Sequence, residues 1–211
     1  MRSAPRLDAG VVIGNRFNKH ESRNPLVRLL MGRFERSMFS LLGSAGPIRS
    51  VLEVGCGEGH VTAALARFYP GARVLGTDFS PAIVDVARRT YPVLEFQVCS
   101  IYDAASLGAW DLVVACEVLE HLDDPARALR ALNAAATAYV LVTVPREPLW
   151  RILNLARGQY WSSLGNTDGH LQHWSRGSLA RFLATRLDIV GTRTPLPWTQ
   201  VLARPRAEAS P

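Results

Sequence analysis

Short apolar runs alternate with amphipathic segments along the middle of the chain. The runs have the continuous apolar character of buried strands, and between them apolar residues recur three or four positions apart, as in a helix that faces a core. The predicted strands are Ser50–Val54 and residues 73–76, 94–98, 112–115 and 138–144. Strands that alternate with helices in this way predict a parallel sheet covered by helices on both faces.

The helices that flank these strands begin at recognisable capping sequences. Asn24-Pro25, Ser80-Pro81 and Asp124-Pro125 each place a side-chain acceptor before a proline at the first helical position. Gly43 ends the pattern of the first helix. The apolar stripe of that helix consists of Leu26, Leu30, Phe34, Met38 and Leu42.

The pattern changes after residue 145. A polar and aromatic segment, residues 146–174, leads to a helix capped by Ser175. Residues 188–192 and 198–203 are two further short runs separated by prolines, and they predict an antiparallel pair at the sheet edge. The predicted fold is therefore α/β, with a seven-stranded, mostly parallel sheet, helices on both faces and an antiparallel final strand.

The strongest chemical signal is the loop Gly55-Cys56-Gly57-Glu58-Gly59, which joins the first strand to a helix. Glycines allow positive φ and close approach of a ligand to the backbone, and the helix N-terminus offers N–H groups to an anion. Position 60 is His60, whereas the dinucleotide fingerprint requires glycine or alanine there, so a nicotinamide-dependent oxidoreductase is a distant alternative.

The second signal is Asp78, at the end of the second predicted strand. An acidic side chain at this place can accept hydrogen bonds from both hydroxyls of a ribose. The competing interpretation is that Asp78 only helps to cap the helix that Ser80-Pro81 opens. The glycine loop upstream favours ribose binding.

In combination these motifs resemble the class I S-adenosylmethionine-dependent methyltransferases. The resemblance extends over residues 50–147 and includes, besides the glycine loop, the segments 76–81, 96–103 and 111–125. It implies a Rossmann-like fold with an N-terminal helical cap. It also implies S-adenosylmethionine as cofactor and S-adenosylhomocysteine (SAH) as product.

The resemblance further implies cofactor contacts residue by residue. One position departs from the pattern: many relatives carry an aspartate where this chain has Ser100, and Asp103 is an alternative partner for the adenine amino group. Cys99 and Cys116 are predicted to be packing residues rather than nucleophiles, because nothing marks a lowered thiol pKa. The implied cofactor-binding residues are Glu53, Gly55, Cys56 and Gly57 at the methionine end, Asp78 at the ribose, Phe79, Ser100 and Ile101 at the adenine, and Cys116 through its backbone.

Three histidines are candidates for catalysis. A base is needed only if the methyl acceptor starts protonated, and imidazole titrates near neutrality. His170 lies in a segment that resembles the acceptor-contacting loop of small-molecule methyltransferases. His121 and His173 could instead have structural roles. His121 could bind nearby carboxylates, and His173 could pack at the start of a helix. No metal site is predicted, because two histidines three residues apart and one distant histidine form a poor ligand set.

Composition narrows the class of protein. The chain has 211 residues, 48% of them hydrophobic, as is typical of a globular protein. Its formal net charge is +6, and the positive charge comes almost wholly from arginines. Because these arginines are scattered, they indicate a solvated surface rather than a nucleic-acid site. Its three cysteines form no disulfide framework, and no apolar run is long enough for a signal peptide or a membrane span. We expect a cytoplasmic protein.

The function that the resemblance implies is methyl transfer to a small-molecule acceptor, at oxygen first and otherwise at nitrogen or carbon. Two alternatives stay open: an RNA or protein acceptor, which the basic charge suggests, and a binding module that keeps the fold without catalysis. The protein is expected to be a monomer or a homodimer. An aromatic or apolar acceptor would suit a cluster of flat side chains, Trp150, Tyr160, Trp161 and Trp174.

The predicted domain organisation has three parts. An N-terminal helical cap comprises residues 1–45, and the methyltransferase core comprises residues 46–204. The core includes an acceptor-side insertion at residues 146–174, and residues 205–211 form a flexible tail.

Overall fold

A computed structural model describes residues 7–8, 11–12, 24–151 and 170–207 of the chain. Leu7–Asp8 and Val11–Val12 form a two-residue antiparallel ladder, and 3₁₀ turns occupy Ile101–Leu107 and Leu119–His121. The helices are α1 (Pro25–Leu42), α2 (His60–Phe68), α3 (Pro81–Thr90), α4 (Pro125–Ala135) and α5 (Arg176–Leu183). The strands are β1 (Ser50–Val54), β2 (Arg73–Asp78), β3 (Glu95–Val98), β4 (Trp110–Cys116), β5 (Ala136–Pro145), β6 (Leu187–Arg193) and β7 (Trp198–Pro205).

The seven longer strands form one sheet in the order β3-β2-β1-β4-β5-β7-β6. Neighbouring strands among β1 to β5 are parallel, and β7 is antiparallel to both β5 and β6. The predicted sheet and its closing antiparallel pair are therefore confirmed. Strand order reverses between β1 and β4, and at such a switch point the carboxyl ends of the strands open a crevice for ligands.

Helices cover the sheet on both faces. On one face the buried side chains of α1 pack with those of β1, β4, β5 and β7. On the other face α4 and α5 pack against the alternate side chains of the same strands. Within the described ranges, no helix combines the length and the apolarity that crossing a bilayer requires.

Helix α1 is buried along a shorter stripe than its sequence predicts. Leu26 is 59% exposed, and burial begins at Met31. From there the helix is fixed to the sheet, where the side-chain amide of Gln200 on β7 donates to the backbone carbonyl of Phe34 (3.0 Å). Helical periodicity identifies the face of a helix that can be buried. How far burial extends along that face depends on which other elements pack against it.

The sequence predicts a flexible tail over residues 205–211, but its first two residues make specific contacts in the structure. Strand β7 extends to Pro205. Arg206 follows it, with its Nε 2.7 Å from Oδ1 of Asp188 and its backbone N–H donating to the side chain of Asn133 (2.9 Å). Residues 208–211 lie outside the described residues.

Three of the four predicted helix caps form side-chain hydrogen bonds, and in one of them the hydroxyl of Ser175 accepts the N–H of Ser178 (3.1 Å). Asn24 accepts the N–H of Leu26 and Asp124 accepts the N–H of Arg127, both at 2.9 Å, whereas the side chain of Ser80 makes no capping bond. A cap satisfies one backbone N–H that the helix itself leaves unpaired, which explains the sequence preference.

Replacing the Asp124 cap is expected to lower the free energy of unfolding by about 1 kcal/mol. Asp124→Ala removes the acceptor for the Arg127 N–H, and chemical denaturation measures the loss. Asp85→Ala is the matched control, since it deletes an exposed carboxylate whose ion pair with Arg88 at 3.4 Å contributes little. Equal losses in the two variants would contradict the capping role.

Candidate functional site

The glycine loop joins β1 to α2 at the switch point of the sheet. Gly55 and Gly57 have φ angles of +71° and +53°, in the left-handed region that side chains disfavour. A Cβ at Gly55 would lie 2.5 Å from Cγ2 of Val118, whereas a Cβ at Gly57 would meet nothing within 4 Å. The loop therefore packs closely at Gly55 and is open at Gly57, which leaves space for a ligand against its backbone.

Asp78, the last residue of β2, holds its carboxylate against this loop. Oδ2 accepts the backbone N–H of Gly57 and Oδ1 accepts that of Ser80, both at 3.1 Å. The side chain is 8% exposed, and its burial raises the pKa of the carboxyl, a shift that these backbone donors oppose. The Ser80 contact shows the role at the helix entry that the sequence offered, and ribose binding stays a prediction. Each oxygen keeps capacity for a further donor.

A second carboxyl, that of Glu53, lies almost completely buried near the end of β1 (1% exposed). The hydroxyl of Thr62 on α2 donates to its Oε2, and the hydroxyl of Thr77 donates to its backbone carbonyl (3.1 Å). Burial raises the pKa of Glu53 to about 8, and the charge of Asp78 adds to this shift. Near neutral pH the carboxyl therefore keeps its proton, and a cation placed beside it would favour release of that proton.

The residues predicted to line the adenine pocket flank Asp78. Phe79 follows it directly, and its side chain is 42% exposed. The backbone N–H of Cys99 donates to the carbonyl of Asp78 (2.9 Å), so the chain after β3 returns to the same point. There Ser100 caps the following 3₁₀ turn through its hydroxyl oxygen, and Ile101 is buried.

Asp103, the alternative adenine contact, has a different partner. Its Oδ1 lies 3.9 Å from Nη2 of Arg127 on α4, and both side chains are exposed. Ser100 directly follows the residue that is bonded to Asp78, so the geometry favours Ser100 over Asp103 as the candidate adenine contact.

The cysteines near the site have the properties of packing residues. The backbone N–H of Cys56 donates to the carbonyl of Thr77 (2.8 Å), and Sγ of Cys116 lies 4.0 Å from Sδ of Met38. Burial raises the pKa of the Cys56, Cys99 and Cys116 thiols, so the thiolate forms are disfavoured. All three cysteines are free thiols.

On the other side of the switch point, the structure brings two of the three predicted histidines together. The rings of His121 and His170 pack edge to face with centroids 4.9 Å apart. One ring nitrogen of each histidine and one carboxylate oxygen of Glu120 all lie within 4.8 Å of one another. The backbone N–H groups of Leu171 and Gln172 both donate to the carbonyl of Glu120, at 2.8 and 2.9 Å.

The third histidine, His173, is associated with a different carboxylate. The charge of His173 lowers the pKa of Glu147, which burial raises overall. The backbone N–H of Glu147 donates to the carbonyl of Trp174 (2.9 Å), which fixes this segment beside the end of β5. His173 does not belong to the group formed by Glu120, His121 and His170.

Aromatic rings form one wall beside the histidine pair. Trp150 lies nearly parallel to His170 with ring centroids 6.4 Å apart, and it is tilted against Trp198 at 6.1 Å. Trp174, in contrast, packs on Phe182 of α5 and lies partly buried against the core. The other two residues of the predicted aromatic cluster lie outside the described residues, Tyr160 and Trp161.

Sequence analysis did not assign two acidic residues that follow β4, Glu117 and Glu120. Glu117 has a φ of +58°, uncommon for a residue with a side chain, and its Oε2 accepts the indole N–H of Trp198 (2.8 Å). Glu120 is 1% exposed. Their position at the carboxyl end of a central strand was the signal that could have identified them.

A seven-stranded sheet of this order, with a glycine loop after its first strand, defines the class I methyltransferase fold. The chain belongs to the methyltransferase-domain family, whose model matches residues 16–186. The prediction of a class I S-adenosylmethionine-dependent methyltransferase is confirmed by this match and by structural likeness to known methyltransferases.

Known relatives agree with this assignment. A ubiquinone biosynthesis O-methyltransferase of Xanthomonas campestris pv. campestris (strain B100) is 34% identical over a region that covers 51% of this chain and 53% of the relative. The chain thus spans about half the length of the curated relatives it matches.

Solved structures resemble the chain in fold. Magnesium protoporphyrin IX methyltransferase (ChlM) from Synechocystis PCC 6803 with bound SAH has a TM-score of 0.64 at 18% identity, covering 88% of this chain and 89% of that one. The plantazolicin methyltransferase BpumL in complex with SAH has a TM-score of 0.68 at 15% identity, covering 90% and 88%.

Proposed function

We propose that this protein transfers the methyl group of S-adenosylmethionine to a hydroxyl oxygen of a small aromatic molecule. The observation that carries the proposal is the Asp78 carboxylate held against the Gly57 N–H at the open part of the glycine loop. Family membership supports the cofactor, and the name of the Xanthomonas relative supports an oxygen acceptor.

The residues around the loop fit a nucleoside cofactor. The carboxylate of Asp78 has remaining acceptor capacity for two ribose hydroxyls, and the exposed ring of Phe79 offers an apolar surface for the adenine. Ser100 and Ile101, next to the end of β2, would line the adenine pocket. Space beside Gly57 supports the same placement, because a side chain there would occupy it.

The methionine end of the cofactor would lie against the backbone of Gly55, Cys56 and Gly57, with Glu53 beneath and the backbone of Cys116 opposite. A buried carboxyl with a raised pKa is a suitable partner for an amino-acid ammonium group, since the cation would stabilise its ionised form. The two buried thiols would contribute packing and backbone contacts only.

On the acceptor side, the residues around the histidine pair would position the acceptor hydroxyl and promote loss of its proton. When bound, S-adenosylmethionine supplies an electrophilic methyl group. Trp150 would stack on a flat acceptor, and the group Glu120, His121 and His170 would face its hydroxyl. Holding the two reactants in line and excluding water accounts for most of the acceleration expected of such a site. His173 lies outside this group, and its charge acts on Glu147 instead.

The test is a product analysis with untagged protein and isotope-labelled S-adenosylmethionine. Phenols, catechols, amines and carboxylic acids are offered in turn, and mass spectrometry locates the added methyl group. We expect a methyl ether from a phenol or catechol, together with one equivalent of SAH. Methylation at nitrogen or carbon would contradict the oxygen acceptor.

Two further outcomes separate the alternatives. Tight SAH binding without transfer to any acceptor would favour a binding module that keeps the fold. RNA binding that weakens steeply with salt, together with methylated RNA, would favour a nucleic-acid acceptor. Absence of SAH binding would overturn the proposed function altogether.

A further inference from the structure

The group formed by Glu120, His121 and His170 has the composition of a transition-metal site. Two imidazoles and one carboxylate are a ligand set that suits divalent first-row ions and leaves coordination positions open. The three ligand atoms lie within 4.8 Å of one another. Ligands that share one cation at bond lengths of about 2.0–2.2 Å are roughly 3–4 Å apart, so a side-chain adjustment on the order of 1 Å would complete the site.

The backbone fixes the three ligands independently of any ion. Glu120 and His121 are adjacent on the 3₁₀ turn that follows β4. His170 is brought to this turn because the N–H groups of Leu171 and Gln172 both donate to the carbonyl of Glu120. The side-chain amide of Gln172 also donates to the carbonyl of Leu122 (3.1 Å). Such preorganisation lowers the entropy that metal binding would otherwise cost.

Burial and charge also favour a cation here. Glu120 is 1% exposed, so a cation bound to its carboxylate would be shielded from water and held strongly. His121 and His170 are only partly buried, so the group opens toward solvent on their side. The ring of Trp150 flanks His170 and would place an aromatic acceptor next to the open positions.

We propose that Glu120, His121 and His170 bind a divalent transition-metal ion, zinc or manganese in type, that coordinates the acceptor hydroxyl. The metal site stands on its own geometry, while its role toward the acceptor rests on the proposed function. Coordination releases the hydroxyl proton to solvent. The oxygen then forms its bond to the methyl carbon as the sulfur–methyl bond breaks and SAH leaves. His121 and His170 act as ligands in this scheme rather than as proton acceptors.

The first test measures metal binding without S-adenosylmethionine. Untagged protein is stripped with a chelator and dialysed, and Zn²⁺, Mn²⁺ and Co²⁺ are titrated by calorimetry and elemental analysis. We expect one equivalent per chain, and visible absorption bands from Co²⁺ that report nitrogen and oxygen ligation. No binding by the intact chain would overturn the proposal.

Variants test which residues form the site. His170→Ala and Glu120→Gln are expected to weaken metal affinity at least tenfold, because each removes one ligand and keeps the backbone bonds of the turn. His173→Ala is the matched control for metal binding, since this histidine lies three residues along the same segment but outside the group. Circular dichroism checks that each variant is folded. Equal affinity in His170→Ala and the unmodified protein would overturn the assignment, as would an equal loss in His173→Ala.

Failure of the metal proposal and failure of the proposed function give different results. SAH binding is measured on the metal-free protein, where we expect it to persist because none of the three ligands belongs to the glycine loop and Asp78 is not among them. Persistent SAH binding with metal-independent methyl transfer would overturn only the metal proposal. A change in the Co²⁺ spectrum on adding a catechol would support coordination of the acceptor, and an unchanged spectrum would overturn it.

Discussion

Replacing Asp78 with alanine is expected to weaken SAH binding about 5- to 150-fold, equivalent to about 1–3 kcal/mol. The carboxylate is fixed by the N–H groups of Gly57 and Ser80, each at 3.1 Å, so it is already oriented before a ligand arrives. Hydrogen bonds from ribose hydroxyls to such an ionised acceptor are stronger than those to a neutral one. Calorimetric titration with SAH measures the change.

Two companion variants make the Asp78 result specific. Asp78→Asn keeps one oxygen acceptor and loses the charge, so its affinity should lie between those of Asp78→Ala and the unmodified protein. Asp103→Ala deletes the exposed carboxylate that pairs with Arg127, and it should bind SAH normally. Unchanged affinity in Asp78→Ala would show that the ribose lies elsewhere.

A second large effect is expected for the pH dependence of stability at Glu53. Its pKa is 4.5 ordinarily and about 8 in the folded protein, so the native state holds a proton that the unfolded state releases. The free energy of unfolding should therefore fall as pH rises from about 4.5 to about 8. At pH 7 this loss is on the order of 3 kcal/mol.

Glu53→Gln removes that dependence while it keeps the shape of the side chain and a contact for Thr62. We expect the variant to match the unmodified protein near pH 5 and to melt roughly 6–12 °C higher at pH 7, measured by thermal unfolding at several pH values. Glu95→Gln is the control, because this exposed carboxylate on β3 pairs only weakly with Arg73 at 3.5 Å. Parallel pH profiles for Glu53→Gln and the unmodified protein would contradict the raised pKa.

The strands and the glycine loop were predictable because their signals are local. A buried strand needs a continuous apolar run, and a tight loop against a ligand needs glycines at fixed positions, so both appear within a few residues of sequence. Asp78 was predicted as a site residue for the same reason, since its place at the end of a strand is a local property. The structure added the contact with Gly57, which depends on how β1 and β2 pair, whereas the contact with Ser80 is local.

The exposed first turn of α1 and the anchored Arg206 were not predictable from local patterns. An apolar stripe specifies which face of a helix can be buried. The sheet buries Met38 on that face, whereas no described element buries Leu26 to the same extent. Arg206 belongs to a polar sequence, yet its partners Asp188 and Asn133 come from distant parts of the chain.

Sequence alone determined the fold class, the family and the loop that would hold the cofactor, because strand pattern, helix caps and glycine spacing are written in consecutive residues. Tertiary structure alone decided which histidine meets which carboxylate: His170 reaches Glu120 and His121 through backbone bonds to a turn far away in sequence, while His173 is associated with Glu147. The physical reason is that side chains which are distant along the chain meet only where the packing of the whole sheet places them.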